Sequence, residues 1–370
     1  MDVRAIAIVA SRDVSPDGFA GVPTAFLDLL GRSVLQRAVD RLRSFGIDDI
    51  TVISEYGSVP TIQGVRWVSA LGQSAWRLAN KAFAEIAQSG AESVLLTHVG
   101  PYAEIDYEDL VQFHLDQGSR VTAVIEPDSE LTGTFVLNPT RRNDAAYLFR
   151  HQLRTSRLPH SYYEFNGYFN PLSTAADLRR LAVDAFCGNA ELEPDGIEVK
   201  PGVWAAPTAR IHKRARVLAP SYIGAHARVR AAAVVTRCSV LEHHAHVDCG
   251  TVVDNATLLP NTSIGAGLDV AHSVVGSRRL FHLGRNVEVE IADPKLVGTV
   301  SNAPLRLVGH LASLASFLPA QVVRGIVKRG RDGQPISVPE AVQAPSPALK
   351  SATDESFSPN LIIARRYGNE

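Results

Sequence analysis

The densest group of reactive side chains in this sequence is Glu242-His243-His244-Ala245-His246. An imidazole titrates near neutrality, so it suits a general base or a metal ligand. His-x-His spacing on a strand turns both rings to one face, but a closed metal site needs further ligands. In a turn, the same histidines are ordinary solvent-facing residues. The three cysteines, Cys187, Cys238 and Cys249, form no Cys-x-x-Cys pair, which suits a reducing compartment. Cys238 and Cys249 are expected as small interior residues rather than nucleophiles. Trp67, Trp76 and Trp204 are expected in cores rather than as base-stacking platforms.

These groups need elements to position them. Arg4–Ala10 is a short apolar run with strand character, and Ser33–Phe45 carries Val34, Leu35, Ala38, Val39 and Leu42 at helical spacing before Gly46. Further strands are expected at Ile50–Ser54, Ser93–Thr97 and Ser119–Glu126, and helices at Ser74–Gln88 and Tyr107–Gln117. Alternating strands and helices imply a parallel sheet covered on both faces. Ligands of such sheets bind beyond the carboxyl ends of the strands, which here means the loops after Ala10, Ser54 and Thr97.

Past about residue 200 the pattern changes. Ile211, Val217, Ile223, Val229, Val235, Leu241, Val247 and Val253 recur at every sixth position, and Val252, Leu258, Ile264 and Val270 continue the period after a one-residue slip. This spacing resembles the hexapeptide repeat of left-handed parallel β-helices, with roughly five coils between Val203 and about Val297. Acyltransferases with that repeat use a histidine between coils as general base, a role the resemblance gives to His244.

The segment Pro23–Leu42, followed by Gly46-Ile-Asp-Asp-Ile-Thr-Val-Ile53, resembles the sugar-1-phosphate nucleotidyltransferases, also called NDP-sugar pyrophosphorylases. So do Leu71–Leu78, Glu104–Leu110 and Gly167–Leu178. The resemblance spans residues 3 to 298 and implies an α/β fold: a Rossmann-like nucleotidyltransferase domain (1–190) with a mostly parallel sheet, then a left-handed β-helix (199–298). It implies a nucleotide or nucleotide-sugar ligand held by Ser11, Arg12, Gly18, Gln73 and Ser74. Catalytic candidates are Arg12, Thr24 and Glu104, with Mg²⁺ as cofactor if the enzyme is active.

The sequence departs from the family at its chemistry. The glycine-rich phosphate loop becomes Ser11-Arg-Asp-Val-Ser-Pro-Asp-Gly18, in which Asp13 and Asp17 repel a triphosphate. The usual proline-lysine pair becomes Pro23-Thr24. The positions of the two metal-binding aspartates fall at Gly100 and Pro171, neither of which offers the oxygen donor Mg²⁺ requires. The expectation is a weak or inactive transferase, with Glu104 and Asp106 close enough to the central strand for one of them to replace the missing carboxylate. The alternatives are a nucleotide-sugar sensor or regulatory subunit working beside an active paralogue, and a hexapeptide acyltransferase.

Lys and Arg total 37 against 38 Asp and Glu, so no global basic field argues for nucleic acid. No window is apolar over the length of a spanning helix, and no signal-peptide pattern opens the chain, so a cytoplasmic protein is expected. Residues 303–331 are expected to form helices that cap the coil or pack in a homo-oligomer. Peripheral membrane contact is the alternative for that segment. The proline-rich stretch 333–370 is expected to be a disordered tail.

Overall fold

The computed structural model describes residues 2–10, 23–56, 62–126, 130–154, 160–276 and 278–300. The expected segments 303–331 and 333–370 lie outside the described residues. The first half is an α/β unit, built on a seven-stranded sheet and two short two-stranded ladders. In chain order its elements are β1 (Val3–Val9), β2 (Asp28–Leu29), β3 (Arg32–Ser33), α1 (Val34–Ser44), β4 (Ile50–Ser54), β5 (Arg66–Ser69), α2 (Ala75–Gln88) and β6 (Ser93–His98). They continue with β7 (Tyr102–Ala103), α3 (Tyr107–Asp116), β8 (Val121–Ile125), β9 (Leu131–Leu137), α4 (Arg142–Arg150), β10 (Ser161–Glu164), β11 (Phe169–Asn170) and α5 (Ala175–Cys187).

The sheet order is β10-β8-β9-β6-β1-β4-β5. Side-chain alternation along β1 shows why both faces are covered: Ile6 and Ile8 pack with Phe83 of α2 and Phe149 of α4, while Ala5, Ala7 and Val9 pack with Leu35 of α1, Leu110 of α3 and Leu181 of α5. Ser33 caps α1 by accepting from Gln36 N at 3.1 Å, and the helix stops where Gly46 takes a φ of +76°. A capping box between Thr174 and Asp177 opens α5, which ends at Gly188.

The sheet is not wholly parallel. β9 runs antiparallel between β6 and β8. The link from Ile125 to Leu131 is too short for a crossover and permits only a hairpin.

From Val203 the chain winds through three parallel sheets in rotation. The first holds Val203–Ala205, Ser221–Ile223, Ser239–Leu241, Thr257–Leu258 and Ser273–Gly276; the second begins at Arg210–Ile211 and the third at Arg216–Val217. The every-sixth aliphatics point inward, and Ile223, Val235, Leu241, Val247, Val253, Leu258 and Ile264 have no exposed surface. Ile211 departs from this at 39% exposed, because it lies in the first turn and has no turn beneath it. The expected inward position at Val252 is also corrected: Val252 is half-buried beside Val234, while Val253 fills the core.

The slip has a definite place. Thr236 pairs with Asp254, but Val240 pairs with Thr257, so the later turn has one residue fewer at the third corner. There Arg237 and Cys238 both take positive φ where the next turn uses Asn255 alone. Cys238 is therefore a half-exposed corner residue and Cys249 an exposed one, not interior residues as expected, because both sit in turns between strands. The parallel winding ends at Gly276. Arg279–His282, Val287–Glu290 and Val297–Thr299 then pair antiparallel with earlier strands, so the expected fifth coil is replaced by a folded-back edge.

Candidate functional site

The strand order reverses beside β1, whose neighbours are β4 and β6, and a crevice beyond their carboxyl ends is the place where such sheets bind ligands. Glu55 N bonds Val9 O at 3.1 Å and Val99 N bonds Ile8 O at 2.9 Å, so the ladder is held just past the strand ends. Ala75 N, at the first turn of α2, donates to Glu55 Oε1 at 2.9 Å. That carboxylate meets the positive end of the helix.

Gln73 and Ser74 are exposed at this entry to α2. Trp76 is half-buried, with its ring centroid 5.8 Å from that of His98 at the end of β6. Thr24 is buried in a single turn whose Phe26 packs edge-on against Tyr56 at 5.8 Å. Ser74 and Trp76 also line a cleft of about 270 Å³ between α2 and α4, together with Arg77, Asn80, Phe149 and Arg150. Ser11, Arg12 and Gly18 lie outside the described residues.

The two positions where the resemblance expects metal aspartates come close together. β7 and β11 pair antiparallel with Asn170 opposite Tyr102, so the ladder runs directly toward Pro101 and Gly100 on one side and Pro171 on the other. Neither Gly100 nor Pro171 has a side-chain oxygen. Glu104 is engaged elsewhere: Oε1 accepts from Tyr102 Oη at 2.9 Å and from Glu191 N at 2.6 Å. Burial raises its pKa despite those bonds. Asp106 caps α3 by accepting from Glu108 N and Asp109 N, both at 3.0 Å. Among the described residues, no three His, Cys, Asp or Glu side chains are grouped to hold a metal ion.

The structure divides the Glu242–His246 motif between two tasks. Glu242 is buried between the coil and the α/β unit, where Leu30 N and Gly31 N donate to its two carboxylate oxygens at 2.8 and 3.0 Å. Burial, then the charge of Asp28, pushes its pKa up to about 8. His243 Nδ1 bonds Asp28, and that bond raises the imidazole's pKa. Gly31 has a φ of +95°, and a Cβ there would lie 2.1 Å from the Tyr222 hydroxyl oxygen, so no other residue fits without displacing it.

This contact is continuous. Trp204, Tyr222, Val240, Thr257 and Val274 stand in register on the outer face of the first sheet. Tyr222, Val240 and Val274 belong to the same apolar cluster as α1 and α5, Trp204 stacks on Phe186 of α5 at 5.9 Å, and Arg179 of α5 reaches Asn255 and Thr257. His244 and His246 face away from this seam. His244 is on a corner with φ +57° and stacks on His226 of the previous turn, with ring centroids 4.8 Å apart. Its pKa is lowered by burial first, then by neighbouring positive charge from His226, His243 and Arg228.

Sequence reasoning missed Glu242 as a seam residue and missed the outer column entirely. The available signal was the residue next to each inward aliphatic. No protein-family model matches the chain, and no curated protein matches its sequence. Among the described residues, no helix is long and apolar enough to cross a membrane.

Proposed function

We propose that the chain is a sugar-1-phosphate nucleotidyltransferase relative, with a Rossmann-like nucleotide domain and a left-handed β-helix, that binds a nucleotide or nucleotide sugar without condensing it. The observation that carries this reading is the β7–β11 pairing, which brings the surroundings of Gly100 and Pro171 together at the crevice. A site for Mg²⁺ belongs at that junction in an active transferase, and the residues present do not fit it. Glycine and proline supply no donor, and Glu104 and Asp106 are committed to Tyr102, Glu191 N and the α3 cap. Without a metal or a glycine-rich loop, transfer between two polyphosphates lacks the positive charge its transition state needs. Binding needs less. Exposed Gln73 and Ser74, with Trp76 and His98 beside them, offer polar and aromatic contacts at the crevice mouth.

In the cell such a module acts as a sensor or as a regulatory partner to an active paralogue. The acyltransferase reading has narrower support: a half-exposed His244 whose imidazole favours the neutral form.

Calorimetry with a panel of nucleoside diphosphate sugars, with and without EDTA, tests the binding claim. The expected result is micromolar affinity that EDTA does not change. A pyrophosphate-release assay over all nucleoside triphosphates and common hexose 1-phosphates should stay at background. Turnover of about one per second, or a requirement for Mg²⁺ in binding, overturns the proposal.

A further inference from the structure

The outer face of the second coil sheet carries an unusual arrangement of charge. Arg210 pairs in register with Arg228, and Arg228 with His246. Strand spacing sets these side chains ~4.8 Å apart along the coil axis. Thr208, His226 and His244 form a column on one flank: Thr208 Oγ1 accepts from His226 N at 3.0 Å, and the two rings stack. His212 and Arg230 form the other flank, where Arg230 lies 3.2 Å from His246 Nε2 and 3.7 Å from Asp248. Lys213, Arg214 and Arg216 extend the same charge around the first turn, all exposed. Among the described residues, Arg210, Lys213, Arg214, Arg216 and Arg228 have no ion-pair partner.

Like charges directly opposite on neighbouring strands repel. Slippage cannot relieve them, because Val229 and Val247 fix the register from inside. Folding alone gives no reason to set arginine over arginine at outward positions that accept any polar residue. The grid carries no aromatic ring other than imidazole, so it has no stacking platform for bases. Its exposed aliphatics, Ile211 and Leu218, are isolated single side chains of the first turn, too little apolar surface to insert into a bilayer. What remains is guanidinium forks and imidazoles, suited to carboxylate, sulfate or phosphate groups. They stand in straight columns on a rigid ladder.

We propose that this face docks a linear anionic polysaccharide, with successive acidic groups meeting successive rungs. The inference stands independently of what the α/β crevice binds.

Surface plasmon resonance on the full chain tests it with dextran sulfate and alginate as probes and neutral dextran as the blank. The parent should bind both anionic polymers and not the neutral one, with log affinity falling linearly against log salt concentration. The double variant R210S/R228S should lose about tenfold in affinity, the scale of two solvated charge contacts, while R120S, at an exposed position of the α/β unit, should match the parent. The double variant's thermal midpoint should be unchanged or higher, since it removes repulsion. Unchanged affinity in R210S/R228S overturns the site. Tighter binding to phosphatidylglycerol vesicles or to a DNA duplex than to either polysaccharide overturns the occupant. A lower midpoint overturns the premise that the repulsion between Arg210 and Arg228 is uncompensated.

Discussion

The α/β unit and the coil bury apolar surface in opposite ways, and they expose their chemistry in opposite places. In the α/β unit, helices cover both faces of a sheet, so what can react is confined to loops beyond the strand ends, such as Glu55 and Ser74. In the coil, three sheets enclose a core of their own, and the outward half of every strand is available. One outward column is spent on the seam with the α/β unit, and another carries the Arg210–Arg228–His246 ladder. Core positions in the coil therefore say nothing about function, whereas their immediate neighbours say a great deal.

The sharpest way to break the comparison is to attack the seam that joins the two regions. Tyr222→Ala removes a fully buried ring and should cost about 3–5 kcal/mol. Urea unfolding followed by circular dichroism should then show two separate transitions. A loss below about 1 kcal/mol would mean that the seam contributes little.

A smaller effect is expected at Glu242. In the Glu242→Gln variant the amide keeps one acceptor for Leu30 N and Gly31 N and turns its N–H₂ toward the other, costing about 1–3 kcal/mol. The pH dependence has a definite sign. Glu242 has a folded pKa raised above its ordinary value, so the native state holds more protons, and stability falls as pH rises from the ordinary carboxylate range to about 8. His243, also raised, contributes stability that is complete below its ordinary value and is lost as pH rises through the folded one. The two add, so the urea midpoint should be higher at about pH 6 than at about pH 9, and E242Q should flatten the profile. A midpoint that increases with pH would sink this account.

The smallest effect should come from the coil surface. Arg230 and Asp248 approach to 3.7 Å with both side chains exposed, so Arg230→Ala should change stability by less than about 1 kcal/mol in thermal melts. A larger loss would show that corners carry more of the coil's stability than its core spacing implies.

Much of this architecture was legible because burial is periodic. An aliphatic at every sixth position has few explanations, and α1 announces itself through Ser33, four buried residues at helical spacing and Gly46. β5 and α4 were not legible, since each is short and only partly apolar, nor was β9, whose apolar run is interrupted by Thr132, Gly133 and Thr134. The candidate site fared unevenly. Gln73 and Ser74 lie exposed at the entry to α2, and Glu104 serves Tyr102 and the linker at Glu191. Glu242 read as part of a histidine-rich turn because its partners Leu30 and Gly31 are more than two hundred residues away in the chain. Contacts of that range leave no local pattern.

The third corner of the coil has a bearing on how this chain tolerates change in length. Two successive turns close there with different numbers of residues, yet Leu241 and Leu258 remain paired in the core. A turn that absorbs a missing residue without shifting the strands on either side behaves as an expansion joint. Insertions and deletions at Arg237–Cys238 or at Asn255 are thus confined to the outside of the coil. Elsewhere in the winding, a single added residue would turn the next inward aliphatic out to solvent.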